Sequence, residues 1–73
     1  MTTRYEGVGD TIEAALDQAH MQIPVPKDSD FTVSRVVDWG MQFGGFTQKR
    51  SFYVVVEQDP GAPVRTGGET ATP

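Results

Sequence analysis

Between Asp10 and Ile23 the large apolar residues Ile12, Leu16 and Ile23, with Ala15 and Ala19, recur at spacings of three and four, while Glu13, Asp17, Gln18 and Gln22 fall on the other side. That period makes one apolar stripe on an α-helix and leaves the rest wet. Asp10 followed three residues later by Glu13 has the form of a capping box, and Pro24 and Pro26 stop the helix. The spacing therefore predicts an amphipathic helix of about 13 residues, or roughly 20 Å.

From Phe31 onward the period changes. Phe31, Val33, Val37, Trp39, Met41 and Phe43 alternate with Thr32, Ser34, Asp38, Gly40 and Gln42, with Arg35 interrupting the apolar row. Only an extended chain turns a period of two into a face. Gly44 and Gly45 then predict a two-residue hairpin turn, with a return strand from Phe46 to Glu57. A turn of that kind sets Phe43 opposite Phe46, Met41 opposite Gln48, Trp39 opposite Arg50, Val37 opposite Phe52, Arg35 opposite Val54 and Val33 opposite Val56. Val36 and Tyr53 then share the other, mostly polar face.

A weaker first strand over residues 2–8 completes a β-α-β-β order. The chain reversals make the first two strands parallel and place both beside the third, so the expected fold is α+β: a three-stranded antiparallel sheet in order 2-3-1, packed on one amphipathic helix. Strands of about 13 residues run to roughly 43 Å, twice the helix length. Apolar side chains at one end of the hairpin must then lie beyond the helix, and exposed surface of that kind marks an interface or ligand site. A homo-oligomer is the expectation.

Residues 1–58 form this single domain. Residues 59–73 read as a flexible tail, because from Pro60 onward the chain holds three of the five prolines and three of the eight glycines, with Val64 the one large apolar residue. The whole chain has 73 residues, a net charge of −4 and no cysteine, so no disulfide or thiolate metal site can stabilise it. Lys49 and Arg50 are the single adjacent basic pair, which argues against nucleic acid as a partner. No apolar run approaches a membrane span, and residues 1–6 carry no secretory signal, so a cytoplasmic location is expected.

The run Val36-Val37-Asp38-Trp39-Gly40-Met41-Gln42-Phe43-Gly44-Gly45-Phe46, with the alternating strand that ends Val54-Val55-Val56-Glu57, resembles the second half of dodecins. The element order and the passage Gly7-Val8-Gly9-Asp10-Thr11 into a helix are also similar, so the resemblance covers residues 2–58. It implies a long antiparallel sheet wrapped around one helix and a hollow dodecamer. It also implies flavins or related compounds stacked between subunits and stored without chemistry, with FMN or riboflavin as the expected ligand. The chain departs from the family where flavin-binding dodecins place the stacking tryptophan: the residue three before the Val-Val-Asp run is Val33. Trp39, three residues after Val36, is the displaced candidate.

The candidate ligand-binding residues are therefore Trp39, Arg50, Gln48, Met41 and Val33. A guanidinium facing an indole could hold a planar anionic ligand, although cross-strand packing is the commoner role for such a pair. Arg35 in an apolar row needs a partner, which a carboxylate of a neighbouring copy or exposure at the sheet edge would each supply. His20, the one histidine, reads as a residue at the margin of the helix stripe. Asp28-Ser29-Asp30 lacks the glycine and late glutamate of a calcium loop and reads as a solvated turn. Gly7 and Gly9 lack the third glycine of a phosphate-binding turn and read as a tight bend.

No residue set supplies nucleophile, base and oxyanion stabiliser, so the leading reading is a non-enzymatic, ligand-binding homo-oligomer with no metal. An acidic protein-binding module, an inhibitor or adaptor using the apolar hairpin face or an open strand edge, is the second reading. An enzyme working through His20 at subunit junctions is the third.

Overall fold

A computed structural model of the chain describes residues 3–25, 31–45 and 48–68. The elements are β1 (Arg4–Gly9), α1 (Ile12–His20), β2 (Ser34–Gly44) and β3 (Lys49–Gln58). The sheet order is β1-β3-β2, with both pairings antiparallel, so β1 and β2 run parallel on either side of β3. This is the α+β, β-α-β-β fold and the strand order that the hydrophobic pattern predicts.

The helix is shorter than its stripe suggested. Thr11, not Asp10, is the N-cap: its side-chain oxygen accepts from the Ala14 N–H at 3.0 Å, and Ala14 stands where a capping box would need Glu or Gln. After His20 the chain tightens, with Gln22 N–H and Ile23 N–H donating to the Ala19 and His20 carbonyls three residues back. Ile23 is nevertheless buried, so the stripe continues past the helix proper.

The buried core is small: Ala15, Ala19 and Ile23 pack on Val54 and Val56 of β3, with Tyr5, Leu16 and Phe52 around them. Gly7 explains how the helix comes so close. A β-carbon built on Gly7 would stand 2.1 Å from the Ala15 carbonyl oxygen and 2.5 Å from the Ala19 nitrogen, so helix backbone lies directly on strand backbone there. Gly9 is also close, though less so: a β-carbon there would stand 2.8 Å from Ala14 Cβ and 2.9 Å from the Ala15 nitrogen. Both glycines serve close approach rather than the bend expected of them. The small residues draw α1 over β1 and β3, and β2 is left as the outlying strand.

Glutamines close one sheet edge. The Val8 N–H of β1 donates to Gln18 Oε1 at 2.6 Å, and Gln22 Nε2 donates to the Glu6 carbonyl at 2.7 Å. Both glutamines lie on the wet side of the helical wheel, as expected, yet they satisfy backbone groups that an edge strand would otherwise offer to another chain.

The hairpin register differs from the expected one. Gly44 is still in β2 and pairs with Lys49, so the connection runs through residues 45–48. Gly44, Gly45 and Gln48 have φ of 126°, 82° and 50°, and the Gln48 N–H donates to the Gly45 carbonyl at 3.3 Å. The longer turn slides β3 by four residues, an even number, so alternate residues keep their face while their partners change. A bulge follows: Val36 pairs with Val56 and Asp38 with Val55, leaving Val37 as the extra residue. Val36 thereby joins Trp39 on the helix side, not Tyr53 on the other. Phe46, expected in the return strand, lies outside the described residues, as do Thr2 and Asp28-Ser29-Asp30.

Candidate apolar and basic surface of the hairpin

Because α1 stands over β1 and β3, the helix side of β2 has little cover from its own chain. Trp39 is 63% exposed, Met41 55% and Phe43 70%, although alternation places all three on the side that carries the core. Nine helical residues span about 14 Å and the eleven of β2 about 36 Å. The expected mismatch of length is present, and a sideways displacement of the helix adds to it.

The expected Trp39–Arg50 pair is not formed. Trp39 lies opposite Val54, Met41 opposite Phe52, and Arg50 opposite Phe43. Trp39 instead forms one wall of an apolar groove of about 340 Å³ between helix and sheet, with Ile12, Leu16, Val36 and Val54. Met41, Gln48 and Arg50 do come together at the turn end, where they line a second hollow of about 670 Å³ with Asp10, Phe43 and Lys49. Gln48 is a turn residue there, not the cross-strand partner of Met41. Lys49 Nζ stands 3.6 Å from Asp10 Oδ1, while Arg50 has no carboxylate partner among the described residues.

Val33 is separate from all of these. It precedes β2 and has no place opposite Val56; its carbonyl accepts from the Asp59 N–H at 2.8 Å. With Phe31, Thr32 and Asp59 it lines a hollow of about 370 Å³ at the far end of the hairpin. Of the five candidate residues, three share one hollow, Trp39 lies in the apolar groove, and Val33 sits at the opposite end.

Two polar constellations were not anticipated. On the face away from the helix, Arg4, Glu57 and Arg35 form one row across the three strands. Arg35 Nη2 donates to Glu57 Oε1 at 2.6 Å, and Arg4 Nε lies 3.5 Å from Oε2. Arg35 thus finds its carboxylate within its own chain. The Arg35 hydrogen bond holds the Glu57 carboxyl below the usual carboxylate range against the opposing effect of burial, with the charges of Arg35 and Arg4 adding to it. The same hydrogen bond raises Arg35. The sequence signal lay in the register: four residues of slip, less the one that the bulge at Val37 takes back, move Arg35 from Val54 to Glu57.

His20 ends the helix with both ring nitrogens engaged. Nδ1 lies 2.6 Å from Ser34 Oγ and Nε2 2.9 Å from Thr32 Oγ1, so one nitrogen donates and the other accepts, joining α1 to the start of β2. A serine beside a histidine invites a nucleophilic reading. The second nitrogen, however, meets a hydroxyl and not the carboxylate that orients the base of such a pair. The arrangement is a latch. Among the described residues no group of three or more His, Asp or Glu side chains is placed to hold a metal ion, and no helix is long and apolar enough to cross a membrane.

The fold and these surfaces define a small α+β domain with an uncovered apolar row ending in a basic turn. No protein-family model, curated protein or solved structure matches the chain.

Proposed function

We propose that this chain is a dodecin-like, non-enzymatic homo-oligomer that binds and stores a small planar ligand such as a flavin in the cytoplasm. One observation carries the proposal: Trp39, Met41 and Phe43 stand in a row on the helix side of β2, each more than half exposed. Three large apolar side chains in line on so small a domain form the kind of patch that marks an association or ligand surface. The β-α-β-β order and the β1-β3-β2 sheet support the same reading, since they are the fold that the dodecin resemblance implies. In this reading the Trp39 ring is the stacking platform and the groove beside it receives the edge of the ligand. A neighbouring copy covers the rest of the row.

Flavin fluorescence and light scattering test it together. The expected result is quenched riboflavin or FMN emission, a mass several times the 8.0 kDa of the chain, and loss of quenching in Trp39→Ala with the fold retained by circular dichroism. A species near 8 kDa that leaves flavin emission untouched overturns the proposal. It would favour the acidic protein-binding module.

A further inference from the structure

We infer that the turn after β3 makes the Asp59–Pro60 peptide bond a self-cleavage site, at which the Asp59 carboxylate attacks its own main-chain carbonyl and parts the β-α-β-β domain from the chain that follows. The inference is independent of ligand storage. Pro60 and Gly61 occupy the central positions of a four-residue turn, with Gly61 at φ of 85°, and the Ala62 N–H donates to the Asp59 carbonyl at 3.2 Å. That carbonyl belongs to the bond in question. The Asp59 N–H is held on the Val33 carbonyl at 2.8 Å, so the residue is fixed on both sides of its α-carbon while it stays exposed to water.

The chemistry needs a nucleophile, a polarised carbonyl and a leaving group that can take a proton. All three meet here. An aspartate carboxylate reaches its own carbonyl carbon by closing a five-membered ring, so the attack is intramolecular and its entropy cost is already met by the chain. Proline follows, and its tertiary amide nitrogen takes a proton more readily than a secondary amide and leaves as a secondary amine. The Oδ–C bond forms, the C–N bond breaks, and Pro60 N departs with a proton from solvent. Water then opens the cyclic anhydride, leaving Asp59 with a free α-carboxylate. The Ala62 N–H faces the oxygen on which negative charge develops, the placement that stabilises the tetrahedral stage of acyl transfer. Each chain does this once, so no enzyme is implied. Of the charged groups at this end, Arg35 of β2 is within electrostatic reach of Asp59 but is bridged to Glu57 of β3, and His20 of α1 is bound to Thr32 and Ser34. Neither is hydrogen-bonded to the Asp59 carboxylate. The domain keeps its structure after the cut, because the last ladder pair, Ser34 with Gln58, and the Asp59–Val33 bond both stay on the N-terminal fragment.

Intact-mass spectrometry of the full chain, held at about pH 5, tests the inference, since an ordinary aspartate is ionised there while protons for the leaving group are plentiful. Fragments 1–59 and 60–73 should accumulate, their masses summing to the chain plus one water, and Asp59→Asn should stop the reaction. Gly61→Ala probes the turn. Space around Gly61 is open, so the substitution strains only the local φ and should leave the circular dichroism unchanged. Cleavage should slow by about tenfold in Gly61→Ala, and by a similar factor in wild type unfolded in urea, less than the hundredfold or more that a buried oxyanion donor supplies. A chain that stays whole, fragments that persist in Asp59→Asn, or a rate that neither Gly61→Ala nor unfolding lowers would each overturn the inference.

Discussion

Gly7→Ala is the sharpest test of how the helix is seated. The added methyl would stand 2.1 Å from the Ala15 carbonyl oxygen and 2.5 Å from the Ala19 nitrogen. Both are backbone atoms and cannot rotate away, so the helix must retreat by about 1 Å before the contact becomes tolerable, and a gap of that size forfeits a quarter to a half of each dispersion well it opens. The retreat would also stretch the 2.6 Å Val8–Gln18 and 2.7 Å Glu6–Gln22 hydrogen bonds, each worth about 1 kcal/mol. Overpacking of this kind costs about 1–3 kcal/mol by itself. The total comes to about 3–5 kcal/mol, against about 3–9 kcal/mol for a folded unit of this length.

Urea unfolding followed by circular dichroism, at one fixed protein concentration, reads the outcome. Gly7→Ala should lose most of its cooperative transition. Gly45→Ala is the control, because Gly45 has open space around it and bears only the strain of φ at 82°; it should lose about 1–2 kcal/mol. Equal midpoints for wild type and Gly7→Ala would refute the close seat of α1 on β1.

Two further expectations concern the polar constellations. The Glu57 carboxyl is held low in the folded chain, so its contribution is fully present above the ordinary carboxylate range and is lost as pH falls through the depressed value. Glu57→Gln should therefore flatten the acid limb of a stability-against-pH curve, and an unchanged acid limb would contradict the bridge. At the latch, His20→Ala and Ser34→Ala should each cost about 1 kcal/mol. Their double variant should cost less than the sum, since both remove the 2.6 Å contact; strictly additive midpoints would dissolve the pair.

Periodicity is local, and what depended on it alone was legible. The spacing from Ile12 to Ile23 and the alternation from Val37 to Phe43 were enough for element types, strand order and an excess of apolar surface. Register was not legible, because it depends on which residues of a glycine-rich turn still pair. Gly44 can end a strand as readily as it can open a turn, and choosing the shorter loop misplaced Arg50, Gln48 and Arg35 together. The bulge at Val37 left no mark in an alternation that Arg35 already broke. The sideways seat of the helix did have a signal, since Gly7 faces Ala15 and Ala19, and Gly9 faces Ala14 and Ala15, across the interface. Glycines beside a helix start read equally well as a bend.

These details narrow how copies of the chain would associate. The edge of β1 is taken by Gln18 and Gln22, and β2 carries a bulge at Val37 with the Asp38 carboxylate drawn onto the Trp39 N–H at 3.0 Å. Bulges and edge charges are the devices that discourage strand addition. The face away from the helix bears the Arg4–Glu57–Arg35 row, which would lose water on contact for little gain. The apolar row on the helix side of β2 remains, and burying the exposed parts of three such side chains is worth about 3–5 kcal/mol per copy. Met41→Lys should then reduce the light-scattering mass to that of one chain. Val8→Lys, on the opposite face, should leave the mass unchanged. The reverse pattern would move the interface to the other side of the sheet and leave Trp39 with no neighbour to complete its platform.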